Sequence, residues 1–404
     1  MKRILILISG HLCNAPRPQK EALTLAQAGY EVIVGGVWFD PLLVKRDRQL
    51  MKHQLYCFRP VLDFQPGRLK RFGVRLTSRL SRVMFQKAGY CTPALLGYGV
   101  RAMLNSALQE KADLTIVHSE AGLWVGDQLL QRGLRVGVDF EDWFSQDLLP
   151  DALSIRPVNW LKALEERLMR QCTYCLTTSH ALAETLAQAY QATPPNVIYN
   201  VFPQVKTQSV DRAGQVPSLH WFSQTIGRGR GLETLFQSLP LIQFPVELHL
   251  RGNCSAETKI WLDSQTPSSW RSRIFLHPTV PPGQLHDCIA QHDIGLALEQ
   301  TDPPSRNLTI TNKLFQYLQA GLALVATSTT GQREVFSQYP EIGCLVEAGD
   351  AQALAIAINQ LLADPISLAK AKAKSLQAAQ ETYCWEQQQN RLVQVAQLAL
   401  SRGL

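Results

Sequence analysis

Short runs of consecutive apolar residues, four or five long and set apart by helix-length polar-apolar stretches, run through this chain. Ile4-Leu5-Ile6-Leu7-Ile8 is the first. Runs of that length with no polar alternation are the pattern of strands buried on both faces, as in a parallel sheet. A loop from Gly10 to Pro18, a helix over Lys20 to Ala28 and a strand Val32-Ile33-Val34 follow, and further strands are expected at Leu114 to Val117, Val136 to Asp139, Tyr174 to Thr177 and Val197 to Asn200. Phe202 to Pro217, rich in Pro, Ser and Gln, reads as a linker. Alternation then resumes through Leu248, Phe275, Ile294 and Val325, and the chain turns helical after Gly349. Strand and helix alternation on this scale predicts doubly wound α/β sheets, and 404 residues with 46% apolar content suit two such domains.

The densest chemistry lies between Asp293 and Val335. The run Ile294 to Leu298 predicts a buried strand with Glu299 at its carboxyl end, where open α/β sheets bind ligands and an acid can accept bonds from hydroxyls. Thr309 or Thr311 can cap a helix from Asn312 to Ala320, closed by Gly321, with Leu314, Phe315 and Leu318 on its buried face. Lys313 and Gln316 share the other face. A cation in the first turn opposes the helix dipole unless an anion joins it, so a bound phosphate is the natural partner. A second motif, Trp221 to Leu235, runs from a strand through the glycine-rich turn Gly227-Arg228-Gly229-Arg230-Gly231 into a helix. Glycines there let backbone N–H groups close on phosphate while the arginines add charge.

The segment NKLFQYLQAGLALVATSTTGQREV resembles the donor-site block of GT-B glycosyltransferases of the family 4 kind, glycosyl transferases group 1. That resemblance implies two Rossmann-like domains facing across a cleft, with a C-terminal helix crossing back to the first. The boundaries expected are 1–203 for an acceptor-side domain, 204–217 for the linker, 218–381 for the nucleotide-sugar domain and 382–404 for the crossing helix. It implies a retaining transfer from a nucleotide diphosphate sugar to a hydroxyl acceptor, without a metal or other cofactor, in cell-surface polysaccharide or glycolipid synthesis. Arg230 falls on the Lys that holds the donor pyrophosphate in the family, whose Arg falls on Gln224 or Thr225, leaving Arg228 as the nearby substitute. Lys313 is the second diphosphate ligand. Thr311, Asn312 and Glu299 line the donor side, and Gln316 takes the place of the glutamate that bonds the ribose hydroxyls. An amide there loses the charge-assisted bonds of a carboxylate. That departure keeps open a catalytically inactive sugar-nucleotide-binding or scaffold protein, beside a GT-B sugar-nucleotide epimerase.

In the first half, His118 follows the apolar run Leu114 to Val117, the kind of position at which the family sets a His near the donor sugar. Glu141 and Asp142 follow the strand Val136 to Asp139 and can bind acceptor hydroxyls. Gly10 begins the loop expected to approach the transferred sugar. The triplet Asp139-x-Glu141-Asp142 lacks a second carboxylate cluster to complete a hard-cation shell, so no metal site is assigned. The first strand leads into GHLCNAPRP instead of a G-x-G-x-x-G turn, which argues against a dinucleotide-dependent dehydrogenase.

Charge changes the picture in one place. Between Arg59 and Lys87 eight cations (Arg59, Arg68, Lys70, Arg71, Arg75, Arg79, Arg82 and Lys87) face one acid, Asp63, a local balance equal to the whole chain's +7. Leu69, Phe72, Leu76, Leu80, Val83 and Met84 recur among them at roughly helical spacing, so residues 59–87 can form basic amphipathic helices against an anionic membrane surface, where a lipid-linked acceptor would lie. The alternative is a helix packed on its domain with a solvated basic face. No nucleic-acid module accompanies the charge. Nine scattered cysteines favour a reducing cytosol, with Cys172 and Cys175 as structural thiols, and no apolar run reaches spanning length. The place expected is the cytoplasm, at most peripheral to the inner face of the plasma membrane.

Overall fold

The computed structural model describes residues 1–65, 70–149, 153, 155–205 and 215–401, with only the backbone at Lys70 and Arg71. Most of the stretch read as a linker, 206–214, lies outside the described residues, as do Arg68 and Leu69. The chain forms two compact units, Met1–Ile198 with Gln388–Leu404, and Tyr199–Gln387.

Unit 1 is a seven-stranded parallel sheet built from β1 (Arg3–Leu7), β2 (Glu31–Trp38), β3 (Cys57–Asp63), β4 (Leu114–Val117), β5 (Val136–Phe140), β6 (Tyr174–Thr177) and β7 (Asn196–Val197), in the order β3-β2-β1-β4-β5-β6-β7. Unit 2 is a six-stranded parallel sheet of β8 (Ser218–Thr225), β9 (Glu247–Asn253), β10 (Ile274–His277), β11 (Ile294–Ala297), β12 (Ala323–Thr327) and β13 (Gly343–Val346), ordered β10-β9-β8-β11-β12-β13. In each, the first strand of the unit lies centrally and the strand order reverses beside it, between β1 and β4 and between β8 and β11. A ligand crevice opens at such a switch point, at the strands' carboxyl ends. The central strands are buried apart from Arg3 at the start of β1, in keeping with their largely apolar runs.

Two strands escaped the sequence pattern, and both are edge strands. β3, CFRPVLD, has no buried residue, carries Pro60 and pairs with β2 alone across an irregularity at Gly36/Val37. Proline is tolerated there because an edge strand leaves one row of backbone groups unpaired. Arg59 therefore lies on a strand, with its guanidinium 2.5 Å from Glu110, and the basic helix is confined to Lys70–Ala88. β13 is short and partly buried, so GCLV gives little signal. The last strand expected in the first half shrinks to Asn196–Val197, and its first helix begins earlier than read, at Pro16, a residue suited to the first helical turn.

Around the unit 2 switch point the helix Asn312–Ala320 packs on β11. It has the bounds the sequence predicts, with Leu314, Phe315 and Leu318 buried and Gly321 in the left-handed region at its end. Thr311 occupies the N-cap position but makes no side-chain capping bond. Tyr317, also buried, lays its ring over Gly295 of β11 and donates its hydroxyl to the His220 carbonyl oxygen at 2.8 Å. A methyl group at Gly295 would come within 2.3 Å of that ring. Overpacking of this kind typically costs about 1–3 kcal/mol, so Gly295→Ala should lower the urea midpoint of unfolding and shift the helix that carries Lys313; an unchanged midpoint would show that the ring is free to move away.

Candidate functional site

In unit 2 the two motifs found in the sequence meet at the switch point. β8 runs into the turn Gly227–Gly231, and β11 ends beside it. Gly231 has φ near +80°, and a Cβ there would lie 2.5 Å from the Cβ of Leu298. Only glycine meets both conditions. Arg230 is exposed on this turn, while the Arg228 guanidinium lies 4.9 Å from the Trp261 ring centroid. Gly229 N–H donates to Glu233 Oε1 at 2.8 Å, so one backbone donor expected to face phosphate is already capped by the following helix.

Glu299 follows β11 directly. Its backbone N–H donates to Thr327 Oγ1 at 2.6 Å, and Gln332 Nε2 donates to the carbonyls of Ala297 and Thr327 at 3.2 and 2.7 Å, tying β11 to β12 where the acid emerges. Lys313, 6% exposed, ion-pairs with Glu299, and its ammonium stands 5.7 Å from the Trp221 ring centroid. The cation that seemed to call for an anion thus has one in the protein. A bound diphosphate would compete with Glu299 for Lys313, leaving the carboxylate to hydroxyls. Gln316 keeps its Oε1 buried without a partner on the same helix, Asn312 is exposed in the first turn and Thr311 half-buried.

Unit 1 carries a pocket of about 380 Å³ whose lining includes Gly10, His11, His118, Ser119, Glu141 and Asp142. It opens at the carboxyl ends of β1, β4 and β5. Behind it lies a buried chain of charges. His118 bonds Glu141 Oε1 through Nδ1 and Glu21 Oε2 through Nε2, both at 2.8 Å, and Arg17 holds Asp139 with two bonds of 2.6 and 3.0 Å while donating to the Ile198 carbonyl at 2.7 Å. Burial opposes a charge on His118, but its bonds to Glu141 and Glu21 outweigh that and push the imidazole up to about 10. Burial also works against the Glu141 carboxylate, yet His118 holds it below its ordinary value. Lys20 is lowered to about 7 by burial and by the charge of Arg17. His118 therefore reaches the pocket as a clamped imidazolium whose ring nitrogens are both taken, and Glu141 is the group it presents.

Among the described residues, Glu21, His118 and Asp139 gather three atoms with the spacing of a metal site. His118 and Asp139 already spend those atoms on neighbours, with a guanidinium alongside, so the donor set fits a closed charge network better than a cation shell. Sequence reasoning missed Arg17 and Glu21, although charged residues at 17, 20 and 21 of one helix are a legible stripe. It also missed the pair His11 and Asp47, in which Nδ1 lies 2.8 Å from Asp47 Oδ2 while Nε2 accepts the backbone N–H groups of Phe39 and Asp40 at 3.1 Å each. Asp47 is 36 residues away, and no spacing rule reaches it.

Two parallel sheets with this shared order, each with a switch point beside its central strand, have the GT-B architecture. Residues 219–364 match the family described as "Glycosyl transferases group 1". The solved sucrose-phosphate synthase of Thermosynechococcus elongatus is similar at 16% identity and TM-score 0.69, covering 98% of each chain. Anabaena HepE in complex with UDP-glucose is similar at 16% identity and TM-score 0.69, over 98% of this chain and all of that one. A structure from Listeria monocytogenes described as a UDP-N-acetylglucosamine 2-epimerase is similar at 11% identity and TM-score 0.59, over 99% and 97%. Nothing among curated proteins matches the sequence.

The charge network fixes the sign of a pH effect. With a folded pKa of about 10 against an unfolded value of about 6.5, His118 contributes stability that is fully present below pH ~6.5 and lost as pH rises through about 10. Lys20, depressed to about 7, gives the opposite slope in nearly the same range. The wild type should therefore vary little between about pH 7 and 9, below the range in which raised thiols such as Cys13 begin to cost stability, whereas His118→Asn should gain stability as pH rises through it. Urea unfolding across that range checks this, and parallel curves for the two proteins would rule out an imidazolium at His118.

Proposed function

We propose that this protein is a retaining glycosyltransferase that moves a sugar from a nucleotide diphosphate sugar to a hydroxyl acceptor. The observation that carries the reading is the pair of buried Lys313 with part-buried Glu299 beside Trp221 at the unit 2 switch point, inside the segment that matches the group 1 family. Lys313 and Arg230 offset the charge that gathers on the diphosphate as the C1–O bond breaks, in a site where fixed charges need no rearrangement. Glu299, released from Lys313, and the unpartnered amide of Gln316 take sugar or ribose hydroxyls. Glu141, kept ionised by His118, and Asp142 accept bonds from acceptor hydroxyls in the unit 1 pocket. The acceptor oxygen bonds to C1 on the face the phosphate leaves, and its proton passes to the departing phosphate oxygen, so neither a protein nucleophile nor a metal is assigned a step. The HepE structures support this choice of ligand class, since they hold UDP with glucose and UDP-glucose. Cell-surface polysaccharide or glycolipid synthesis at the cytoplasmic side of the membrane is the setting that suits such a product.

The Listeria neighbour favours one second reading, an epimerase that uses the donor site without an acceptor. Product analysis separates the two, since only transfer yields a glycoside.

A thermal-shift panel of UDP, GDP, ADP and CMP should raise the unfolding temperature with one nucleoside diphosphate, because a ligand of the native state adds RT ln(1 + [L]/Kd). Lys313→Ala and Arg230→Ala should abolish that shift and cut transfer roughly a hundred- to a thousandfold. Full activity in both variants would refute the phosphate assignment.

A further inference from the structure

The helix Lys70–Ala88 carries a second apolar face, turned away from its domain. Its protein-facing side is mixed, with Val74 and Phe85 half-buried beside Ser78 and Ser81. Among the described residues of the helix Ser78 and Ser81 are the buried ones, with Ser78 Oγ donating to the Ala94 carbonyl at 3.4 Å and Thr92 Oγ1 donating to Ser81 Oγ at 2.8 Å. Five further large apolar side chains point outward. Phe72 is 74% exposed, Leu80 54%, and Leu76, Val83 and Met84 close to half. Helical spacing sets Phe72, Leu76, Leu80 and Val83 on one stripe with Met84 at its edge, and Arg75, Arg79 and Arg82 on the stripe beside it. Tyr90, 59% exposed, follows the helix end. Its nineteen residues include no Asp or Glu.

We propose that this helix lies in the surface of an anionic lipid bilayer, its apolar stripe among the acyl chains and its arginines among the headgroups. Isolated exposed apolar residues are ordinary, but five on one helix face mark an interaction surface. A flanking row of cations without one carboxylate selects the occupant. A protein partner would have to set fixed acids opposite Arg75, Arg79 and Arg82, whereas a leaflet supplies mobile anionic headgroups at whatever spacing the helix presents. Long arginine stems can lie along the apolar stripe while their guanidinium groups stay at headgroup level. The helix lies in the surface and does not span it, since among the described residues no helix is long and apolar enough to cross a membrane. The serine contacts to the Thr92–Ala94 turn hold it flat on unit 1 with the amphipathic side outward.

This surface is independent of sugar transfer, and a protein without transferase activity would bind the bilayer equally well. Flotation of the full chain with vesicles of phosphatidylcholine alone, and of equimolar phosphatidylcholine and phosphatidylglycerol, tests it. The wild type should float with the anionic vesicles, weakly or not at all with the neutral ones, and less as salt is raised. Leu76→Ser with Leu80→Ser should weaken the anionic binding at least about tenfold. Arg75→Gln, Arg79→Gln and Arg82→Gln together should weaken it on the order of a hundredfold. All are surface positions, and circular dichroism with the unfolding midpoint reports whether the fold is intact. Absence of wild-type flotation, equal recovery of wild type and both folded variants, or retention on nucleic acid in place of vesicles would overturn the assignment.

Discussion

Buried charge has to be paired, and here that requirement governs the carboxyl edges of both sheets. An ion left alone in a protein interior costs several kcal/mol, so each charged group that the fold carries inside fixes the position of its partner. Arg17 and Asp139 are both at most 2% exposed and hold the first helix against β5. His118 sits between Glu21 and Glu141 and thereby links β4, the first helix and the loop after β5. In unit 2, Lys313 and Glu299 join the start of a helix to the end of β11. These pairs hold loops in place where a looser structure would need them to order around a substrate. In unit 2 the proposed function makes use of that pairing, with a diphosphate taking the place of the carboxylate beside the lysine.

How much of this could be read from sequence depended on whether the signal was local. β4 and β6 have the predicted bounds, because a short, largely apolar run of strand-favouring residues bounded by polar ones has few other uses. The Asn312–Ala320 helix was legible from its cap position and terminal glycine. β3 was not, since an exposed edge strand with a proline and two polar ends lacks the period that reveals strands. Its Arg59 was drawn into the neighbouring basic run, from which only the backbone separates it. The sequence brought Glu299 and Lys313 close to one site but gave no sign that they satisfy one another, and Glu21 drew no attention because its partner lies 97 residues along the chain.

The two units share a strand order and differ in how they use it. β10-β9-β8-β11-β12 repeats the arrangement β3-β2-β1-β4-β5. Unit 2 places a glycine turn with two arginines after its central strand, and unit 1 places Gly10 and His11 there. One switch point presents cations and an exchangeable acid. The other presents Glu141, held ionised by a clamped imidazolium. Equal backbones thus carry opposite charge, and the proposed division of labour, a diphosphate at the first and hydroxyls at the second, rests on that difference.

The bonds around His11 bear on how the unit 1 pocket would take a ligand. By accepting two amide hydrogens at Nε2 and facing Asp47 through Nδ1, the ring fastens the loop after β1 to the segment that follows β2. That loop becomes ordered when the chain folds, before any ligand arrives. Binding therefore forfeits little conformational entropy in this wall. Affinity on that side will follow the contacts made and the water displaced, and homologues that differ in the loop should differ in which rings they admit more than in how tightly they hold them.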